Sequence, residues 1–143
     1  MSKLILSLLL VACIAVQINA AGIGNAKNIL KSLDKALESH DIKRFLSMHD
    51  SNFNFKFCKV SGKSVEDLKK ILEQDPNMST TKKSNHFVTS KVTKDGANYK
   101  FDYEEFLLLK NDEFYKAEGT IYFQDAPKVK IMKATEKCPV KIF

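Results

Sequence analysis

The second half of the chain consists mainly of segments in which apolar and polar residues alternate, the period of strands with one buried face. Turn sequences separate these segments at Asp95-Gly96, Asn111-Asp112 and Asp125-Ala126-Pro127. Asp-Gly is a strong two-residue hairpin signal because both of its positions need positive φ. The pattern therefore predicts a four-stranded antiparallel meander, with strands starting near His86, Asn98, Phe114 and Val129.

Helical patterns dominate the chain before the meander. Apolar residues recur at helical spacing from Asn25 to Ser39, which predicts an amphipathic first helix. Its charged residues are predicted to face away from the core: Lys27, Lys31, Asp34, Lys35 and Glu38. Asp41 is suited to cap a second, shorter helix that follows almost end to end.

A strand and a third helix complete this first half. Phe53, Phe55 and Phe57 alternate with polar residues, so they predict a strand with one buried face. Ser64-Val65-Glu66-Asp67 then resembles a capping box at the start of a helix that runs toward Pro76, and residues 76–84 are predicted to form a loop. The fold class expected is α+β, with N-terminal helices packed on a curved antiparallel sheet.

The chain's first twenty residues have the layout of a secretory leader. Lys3 precedes an apolar run from Leu4 to Val16, and small residues follow up to Ala20 and Ala21. The run is shorter than the roughly 20 apolar residues that a membrane-spanning helix needs. We therefore expect a signal peptide over residues 1–20, cleaved at or near Ala20/Ala21, a single mature domain over residues 21–143, and a secreted, extracellular protein without a stable membrane span.

Removal of this leader would leave Cys58 and Cys138, which in an oxidising compartment would most simply pair with each other. Two free or intermolecular thiols are the alternative. The cysteines and histidines lack metal-ligand spacing, so we predict neither a metal site nor a cofactor. Asn77-Met78-Ser79 is a glycosylation sequon in a polar stretch, which makes Asn77 a candidate acceptor.

The chain of 143 residues carries a formal net charge of +6, yet Arg44 is the single arginine among its 23 basic residues. Nucleic-acid recognition favours arginine, whose planar group contacts phosphates and bases in pairs of hydrogen bonds, so no nucleic-acid partner is expected. Lysines do concentrate near the C-terminus, at positions 128, 130, 133, 137 and 141. They could bind an anionic partner, or they could be solvated and protect a sheet edge.

The order helix, helix, strand, helix and meander resembles the nuclear transport factor 2-like fold, a cone-shaped, cystatin-like fold. The first helix, Asp41 to Phe45, the Phe53 to Phe57 strand and the aromatic strands from Tyr99 onward carry this resemblance. With its leader and two cysteines, the chain is most similar to secreted, uncharacterised members that are abundant in nematodes. Enzymes of that superfamily place an Asp or His base and a Tyr inside the cone. Here the first helix has no Tyr and the first strand no carboxylate, so those catalytic residues are not carried over.

Turn positions predict which side chains share one sheet face. A tip at Asp95-Gly96 would pair Val92 with Tyr99, Ser90 with Phe101 and Val88 with Tyr103. A tip at Asn111-Asp112 would pair Phe101 with Tyr122 and Tyr103 with Thr120, and the last turn would pair Tyr122 with Val129 and Thr120 with Ile131. The candidate pocket built on this face comprises His86, Tyr99, Phe101, Tyr103, Glu105, Glu118 and Tyr122. His86, Glu105, Glu118 and Lys133 would form a polar row at one end, either the mouth of a pocket or a solvated sheet end.

The same registers place apolar residues on the outer face: Phe106, Leu108, Tyr115, Ala117, Ile121, Phe123 and Met132. Apolar residues on both faces of a sheet imply that something covers the second face, so we expect a homodimer through it. A β-bulge near Glu104-Glu105 could instead turn some of these residues inward.

The sequence favours a secreted, non-enzymatic domain that binds a small apolar ligand or a protein partner. One alternative is a small lyase or isomerase of the ketosteroid-isomerase-like type, with Glu105 or Glu118 as base and Tyr103 as hydrogen-bond donor. A second alternative is an extracellular interaction protein that uses the lysine-rich C-terminal region.

Overall fold

The structure is a computed structural model that describes residues 22–143. The predicted leader over residues 1–20 lies outside the described residues. None of the helices in residues 22–143 is long and apolar enough to cross a membrane.

Four helices form, three of them where capping residues and apolar spacing predict a helix. They are α1 (22–38), α2 (Ile42–Ser47), α3 (Val65–Gln74) and α4 (Pro76–Thr80). The side chain of Asp41 accepts the backbone N–H of Arg44 and so caps α2. Ser64 likewise accepts the N–H of Asp67 at the start of α3. The fourth helix is α4, since the predicted loop over 76–84 instead contains this short helix and the start of a strand.

Eight strands form one sheet. They are β1 (His49–Phe57), β2 (Val60–Gly62), β3 (Thr81–Val88), β4 (Thr93–Asp95), β5 (Asn98–Leu109), β6 (Phe114–Gln124), β7 (Lys130–Glu136) and β8 (Val140–Lys141). The order across the sheet is β2-β1-β7-β6-β5-β3, with β4 paired to β5 and β8 paired to β6. The late strands β3, β5, β6 and β7 are consecutive antiparallel neighbours, which confirms the meander and the α+β class. β1 joins this meander by parallel pairing with β7.

The predicted strand register is right in part at the first hairpin and wrong at the other two. Val88 faces Tyr103 as predicted. The tight turn nearby is formed by Gly96 and Ala97, because Asp95 pairs with Asn98, and Gly96 has φ of 62°. Tyr99 consequently faces Lys94 on β4 rather than Val92, and the predicted pairing of Ser90 with Phe101 does not form.

Between β5 and β6 the prediction is wrong by one residue, which reverses the face of every side chain on β6. Phe101 faces Ile121, and Tyr103 faces Gly119. The cause is the connection, which holds three residues between Leu109 and Glu113 instead of a two-residue turn. The N–H of Leu109 donates to the carbonyl of Glu113 at 2.9 Å, and Asp112 adopts a left-handed φ of 65°, as a three-residue hairpin loop requires.

The last hairpin also differs from its prediction. Gln124 pairs with Lys130 and Phe123 with Ile131. An irregularity between Phe123 and Tyr122 then brings Tyr122 opposite Lys133 and Ile121 opposite Ala134. The predicted pairs of Tyr122 with Val129 and of Thr120 with Ile131 therefore do not form.

The core lies between α1 and the inner face of the sheet. Ile29, Leu30 and Leu33 of α1 pack with the buried rings of Phe53 and Phe55 on β1. Phe101, Ile121, Phe123 and Ile131 extend this cluster across β5, β6 and β7. Each fully buried side chain of this kind contributes about 1.5–3 kcal/mol of transfer free energy. This burial anchors α1 over the sheet. A space remains beside Leu33 and Leu37, in the C-terminal part of α1.

A disulfide joins Cys58, just after β1, to Cys138, just after β7, across 80 residues of sequence. The predicted pairing is confirmed. In the chain-entropy picture a loop of this length stabilises the folded state by about 4–5 kcal/mol. The backbone N–H of Cys58 also donates to the carbonyl of Glu136 at 2.9 Å, which fixes the end of β1 against the end of β7.

Candidate functional site

A cavity of about 230 Å³ lies between the helices and the inner face of the sheet. Its walls are largely apolar and include Leu33, Leu37, Leu68, Ile71 and Ile131. Polar side chains on the sheet side of these walls include His86, Tyr103, Glu105 and Glu136. The combination of an apolar chamber and a few convergent titratable groups is typical of small-molecule sites.

His86 on β3 is held by Asp34 on α1. The imidazole Nδ1 lies 2.6 Å from the Asp34 carboxylate, and the His86 side chain is 5% exposed against 18% for Asp34. The backbone N–H of His86 also donates to Asp34 at 3.1 Å. These two hydrogen bonds to Asp34 hold His86 against α1. Nε2 of its imidazole then faces Glu105 at the cavity.

Two further contacts fasten the same part of β3 to α1. The hydroxyl of Ser84 donates to Asp34 at 2.7 Å, and the N–H of Ser84 donates to Glu38 at 3.0 Å. Asp34 and Glu38 lie one helical turn apart, so α1 holds β3 with two carboxylates. Because Asp34 accepts from three groups, its oxygens are occupied, and it acts on the cavity through His86.

Glu105 on β5 lies on the other side of the imidazole. One of its carboxylate oxygens is 3.4 Å from Nε2 of His86, and its side chain is 15% exposed. Burial alone would lower the pKa of His86, but the charges of Glu105 and Asp34 outweigh it, and the pKa of His86 is raised. This environment favours an imidazolium flanked by two carboxylates.

Tyr103 and Glu136 form the second pair. The phenol of Tyr103 donates to Glu136 at 2.6 Å, and it reaches that partner across Gly119, which faces Tyr103 on one side and Glu136 on the other. A Cβ on Gly119 would lie 2.6 Å from the Tyr103 hydroxyl and 2.5 Å from the carbonyl of Thr135. Glycine at this position is therefore what allows the Tyr103 ring to cross β6.

The carboxyl group of Glu136 has a pKa near neutral pH. Burial and the charge of Glu105 raise its pKa from 4.5 to about 7, against the opposing effects of the Tyr103 hydrogen bond and His86. Burial and the neighbouring charge of Glu136 raise the pKa of Tyr103 well above its usual value, so Tyr103 stays a donor. A carboxyl group with a pKa near the working pH can accept and return a proton efficiently.

An outer chamber of about 280 Å³ adjoins the cavity. Asn77, Glu105, Leu107 and Pro139 line both spaces, so they lie at the boundary between them. Asn77 is exposed on α4, and Pro139 directly follows the disulfide-bonded Cys138. The disulfide and the sequon therefore both lie beside this boundary.

The predicted pocket residues separate into three groups. His86, Tyr103 and Glu105 line the cavity. Phe101 is buried in the core, and Tyr99 stacks on Phe123 beside it; neither residue lines the cavity.

The third group consists of Glu118 and Tyr122. Both lie on the outer face because the register of β6 differs from the predicted one by one residue. Glu118 binds Lys137 at 3.0 Å and Lys116 at 3.6 Å there, and Lys133 lies over the Tyr122 ring at 5.0 Å. The predicted polar row of His86, Glu105, Glu118 and Lys133 therefore does not form.

Sequence reasoning missed Asp34 and Glu136. Asp34 is predicted among the solvent-facing charges of the first helix, but it lies four residues after Leu30 and three before Leu37 and so shares their face. Glu136 follows buried Ala134 at the strand period of two, which places both residues on the same face of β7.

Most of the C-terminal lysines have partners inside the protein. Lys130 donates to the carbonyl of Ser47, and Lys137 pairs with Glu118. Lys141 binds Glu113 at 2.6 Å. The two pairs with carboxylates offset part of the charge that the segment presents to an anionic partner. Within residues 22–143 no group of three or more His, Cys, Asp or Glu side chains is arranged to hold a metal ion.

Comparison with known proteins places the fold. No protein-family model matches the chain, and no curated protein matches it. Among solved structures it is similar to an NTF2-like protein with a cystatin-like fold from Novosphingobium aromaticivorans, at 11% identity and a TM-score of 0.66, over 90% of this chain and 87% of that one. It is also similar to a scytalone dehydratase-like protein from the same organism, at 8% identity and a TM-score of 0.66, over 90% and 92% of the two chains.

A third similar structure is a hexachlorocyclohexane dehydrochlorinase, at 10% identity and a TM-score of 0.62, over 87% of this chain and 90% of that one. At these identities the likeness concerns the fold alone. The NTF2-like, cystatin-like architecture that the sequence resembles is thereby confirmed.

Replacing Glu136 with glutamine should change how stability depends on pH. Because the folded-state pKa of Glu136 is raised, to about 7, the fold binds its proton more tightly than the unfolded chain does. Its contribution to stability is full below about pH 4.5 and is lost as pH rises through 7. The free energy of unfolding of Glu136→Gln minus that of wild type should therefore increase by about 3 kcal/mol between pH 4 and pH 8.

Urea denaturation at a series of pH values measures this difference. Burial lowers the pKa of His49 to about 4, which gives the free energy of unfolding a pH dependence of opposite sign. Both proteins contain His49, so its effect cancels in the difference. Glu118→Gln on the outer face is the matched control, since the pKa of Glu118 is lowered by Lys137 and it should give no such rise. If the difference in free energy of unfolding between Glu136→Gln and wild type does not change with pH, the raised pKa of Glu136 in the folded protein is contradicted.

Proposed function

We propose that the protein binds a small, largely apolar molecule in the cavity and transfers a proton on it, as lyases and isomerases do. The observation that carries this proposal is the Tyr103–Glu136 pair facing the Asp34-supported His86 across one apolar chamber. A structural role alone would not require three carboxylates around one buried imidazole, since burying charge is costly unless it is paired.

The roles follow from the contacts. Glu136, with a pKa of about 7, is the base that takes a proton from a ligand carbon. The electron pair released moves onto a ligand oxygen or leaving group, which accepts a hydrogen bond from Nε2 of His86. Asp34 acts as a positioning residue that keeps the imidazole oriented and protonated. Tyr103 holds the Glu136 carboxylate in place.

The similar structures support this class of reaction. The dehydrochlorinase and the scytalone dehydratase-like protein have names that denote elimination chemistry, and both share the chamber-forming fold. The second candidate is a binding domain without chemistry, which the mostly apolar walls of the cavity also favour. The interaction function through C-terminal lysines has less support, because Lys130, Lys137 and Lys141 already bind partners in the chain.

Proton exchange separates the first two candidates. Wild-type protein is incubated in D₂O with a panel of small carbonyl compounds that carry an acidic proton beside the carbonyl, and deuterium uptake is followed by NMR. We expect protein-dependent exchange for members that fit the cavity, and a loss of about 10²-fold or more in Glu136→Gln, the usual size of a general-base contribution. Glu118→Gln should exchange like wild type. Panel members that bind without any exchange would favour the binding domain instead.

We further propose that the protein is secreted after removal of residues 1–20, that its mature domain is 21–143, and that Asn77 carries a glycan. The disulfide supports an oxidising compartment, and Asn77 is exposed on α4. The intact mass of the exported protein should equal that of residues 21–143, give or take a residue or two at the cut, less two hydrogens, plus any glycan that a glycosidase removes. An intact mass that retains residues 1–20 would contradict this proposal.

The outer sheet face supports a homodimer. Phe87, Phe106, Phe114 and Phe143 form a continuous row of rings there, with neighbouring centroids 5.2–6.0 Å apart. We call this row the outer aromatic patch. Phe87 is 55% exposed and Phe143 is 74% exposed, which leaves apolar surface for a second copy to cover. Four of the apolar residues predicted for this face are not on it: Ala117, Ile121 and Phe123 are buried, and Tyr115 lines the outer chamber. The proposed dimer contact is therefore the outer aromatic patch.

Sedimentation velocity at micromolar concentration should give a dimer for wild type and a monomer for a double variant with Phe87→Ser and Phe143→Ser. Both residues are exposed, so the variant should keep its fold, which circular dichroism checks. A wild-type protein that sediments as a clean monomer would contradict the dimer.

A further inference from the structure

The charge of the cavity is opposite to that of the chain. The protein carries a formal net charge of +6. Among the described residues, however, the lining of the cavity and of the outer chamber contains no lysine and no arginine, whereas it contains Asp75, Glu105, Glu113 and Glu136. His86 is the one lining residue that carries positive charge, because burial keeps His49 neutral by lowering its pKa to about 4.

The inner carboxylates also have free acceptor capacity. Tyr103 donates to one oxygen of Glu136, which leaves the other oxygen without a hydrogen bond among the described residues. Nε2 of His86 lies 3.4 Å from the Glu105 carboxylate, and none of the hydrogen bonds within residues 22–143 ends on that carboxylate. Asp34, by contrast, already accepts from Ser84 and twice from His86. Acceptors that face the ligand therefore outnumber donors.

We propose that the ligand of the cavity is an apolar amine, bound as its ammonium ion beside Glu105, which leaves Glu136 free as the base. An ammonium supplies up to three donors and needs no acceptor, which matches the unfilled oxygens of Glu105. Its positive charge would offset the negative charge of Glu105, whereas a carboxylate ligand would add to that charge. The cost of burying a cation is met here because an acidic side chain is already in place.

The size of the cavity limits the rest of the molecule. Apolar cavities of about 150 Å³ can hold benzene, and this cavity of about 230 Å³ has room for one ring with a short side chain. Leu33, Leu37 and Ile131 on the opposite walls would contact that ring. The inference rests on the proposed function, since it names the ligand class for the same site.

Three probes of matched shape test it by isothermal titration calorimetry on the complete mature chain at pH 7.5: phenethylamine, phenethyl alcohol and phenylpropionate. We expect phenethylamine to bind about tenfold or more tightly than the alcohol, as charge-assisted hydrogen bonds in a dry site do, and phenylpropionate to bind most weakly. Glu105→Gln should remove most of the amine's advantage. Glu118→Gln on the outer face should keep it.

The outcomes distinguish the two proposals. Binding of the alcohol or of phenylpropionate as tightly as the amine would overturn the amine inference and leave the cavity a ligand site. An amine preference that survives Glu105→Gln would overturn the placement of the ammonium beside that residue. Failure of all three probes to bind at millimolar concentration would overturn the amine inference together with ligand binding at this cavity.

Discussion

The register between β5 and β6 determines which side chains reach the cavity. The three-residue connection after Leu109 sets it, and Asp112 allows that connection by adopting a left-handed backbone. With this register Gly119, not Thr120, faces Tyr103, so the phenol can cross β6 to Glu136. A shift of one residue would bring Thr120 opposite Tyr103 and turn Glu118 inward, which would replace the Tyr103–Glu136 pair by an unrelated set of groups.

Burying this many titratable groups is possible because each has a partner. His86 lies between Asp34 and Glu105, and Tyr103 satisfies one oxygen of Glu136. An unpaired charge in the same place would cost several kcal/mol. Burial, and after it the negative charge of Glu105, raises the pKa of Glu136, because protonation removes a buried charge and also its repulsion from Glu105. The site is therefore held in a state that a proton or a cation can stabilise further.

The architecture was predictable from the sequence because it follows from local signals: the helical spacing of Ile29, Leu30 and Leu33, the caps at Asp41 and Ser64, and the alternation of Phe53, Phe55 and Phe57. The site was predictable only in part. His86, Tyr103 and Glu105 lie on β3 and β5, and the first predicted hairpin pairs these two strands correctly here, with Val88 opposite Tyr103. Asp34 and Glu136 each have a local signal, the helical spacing to Leu30 and Leu37 and the strand period from Ala134. Their partners depend in addition on how α1 crosses the sheet and on the irregularity in β7, which no local pattern predicts.

The covalent and electrostatic features of the molecule meet beside the cavity. The Cys58–Cys138 bond ties the end of β1 to the segment that carries Pro139, and the N–H of Cys58 holds the backbone of Glu136. A charged or polar side chain works in catalysis only if its position is fixed by the groups around it. The bond thus stabilises the fold by closing a long loop and also fixes the strand end that carries the proposed base.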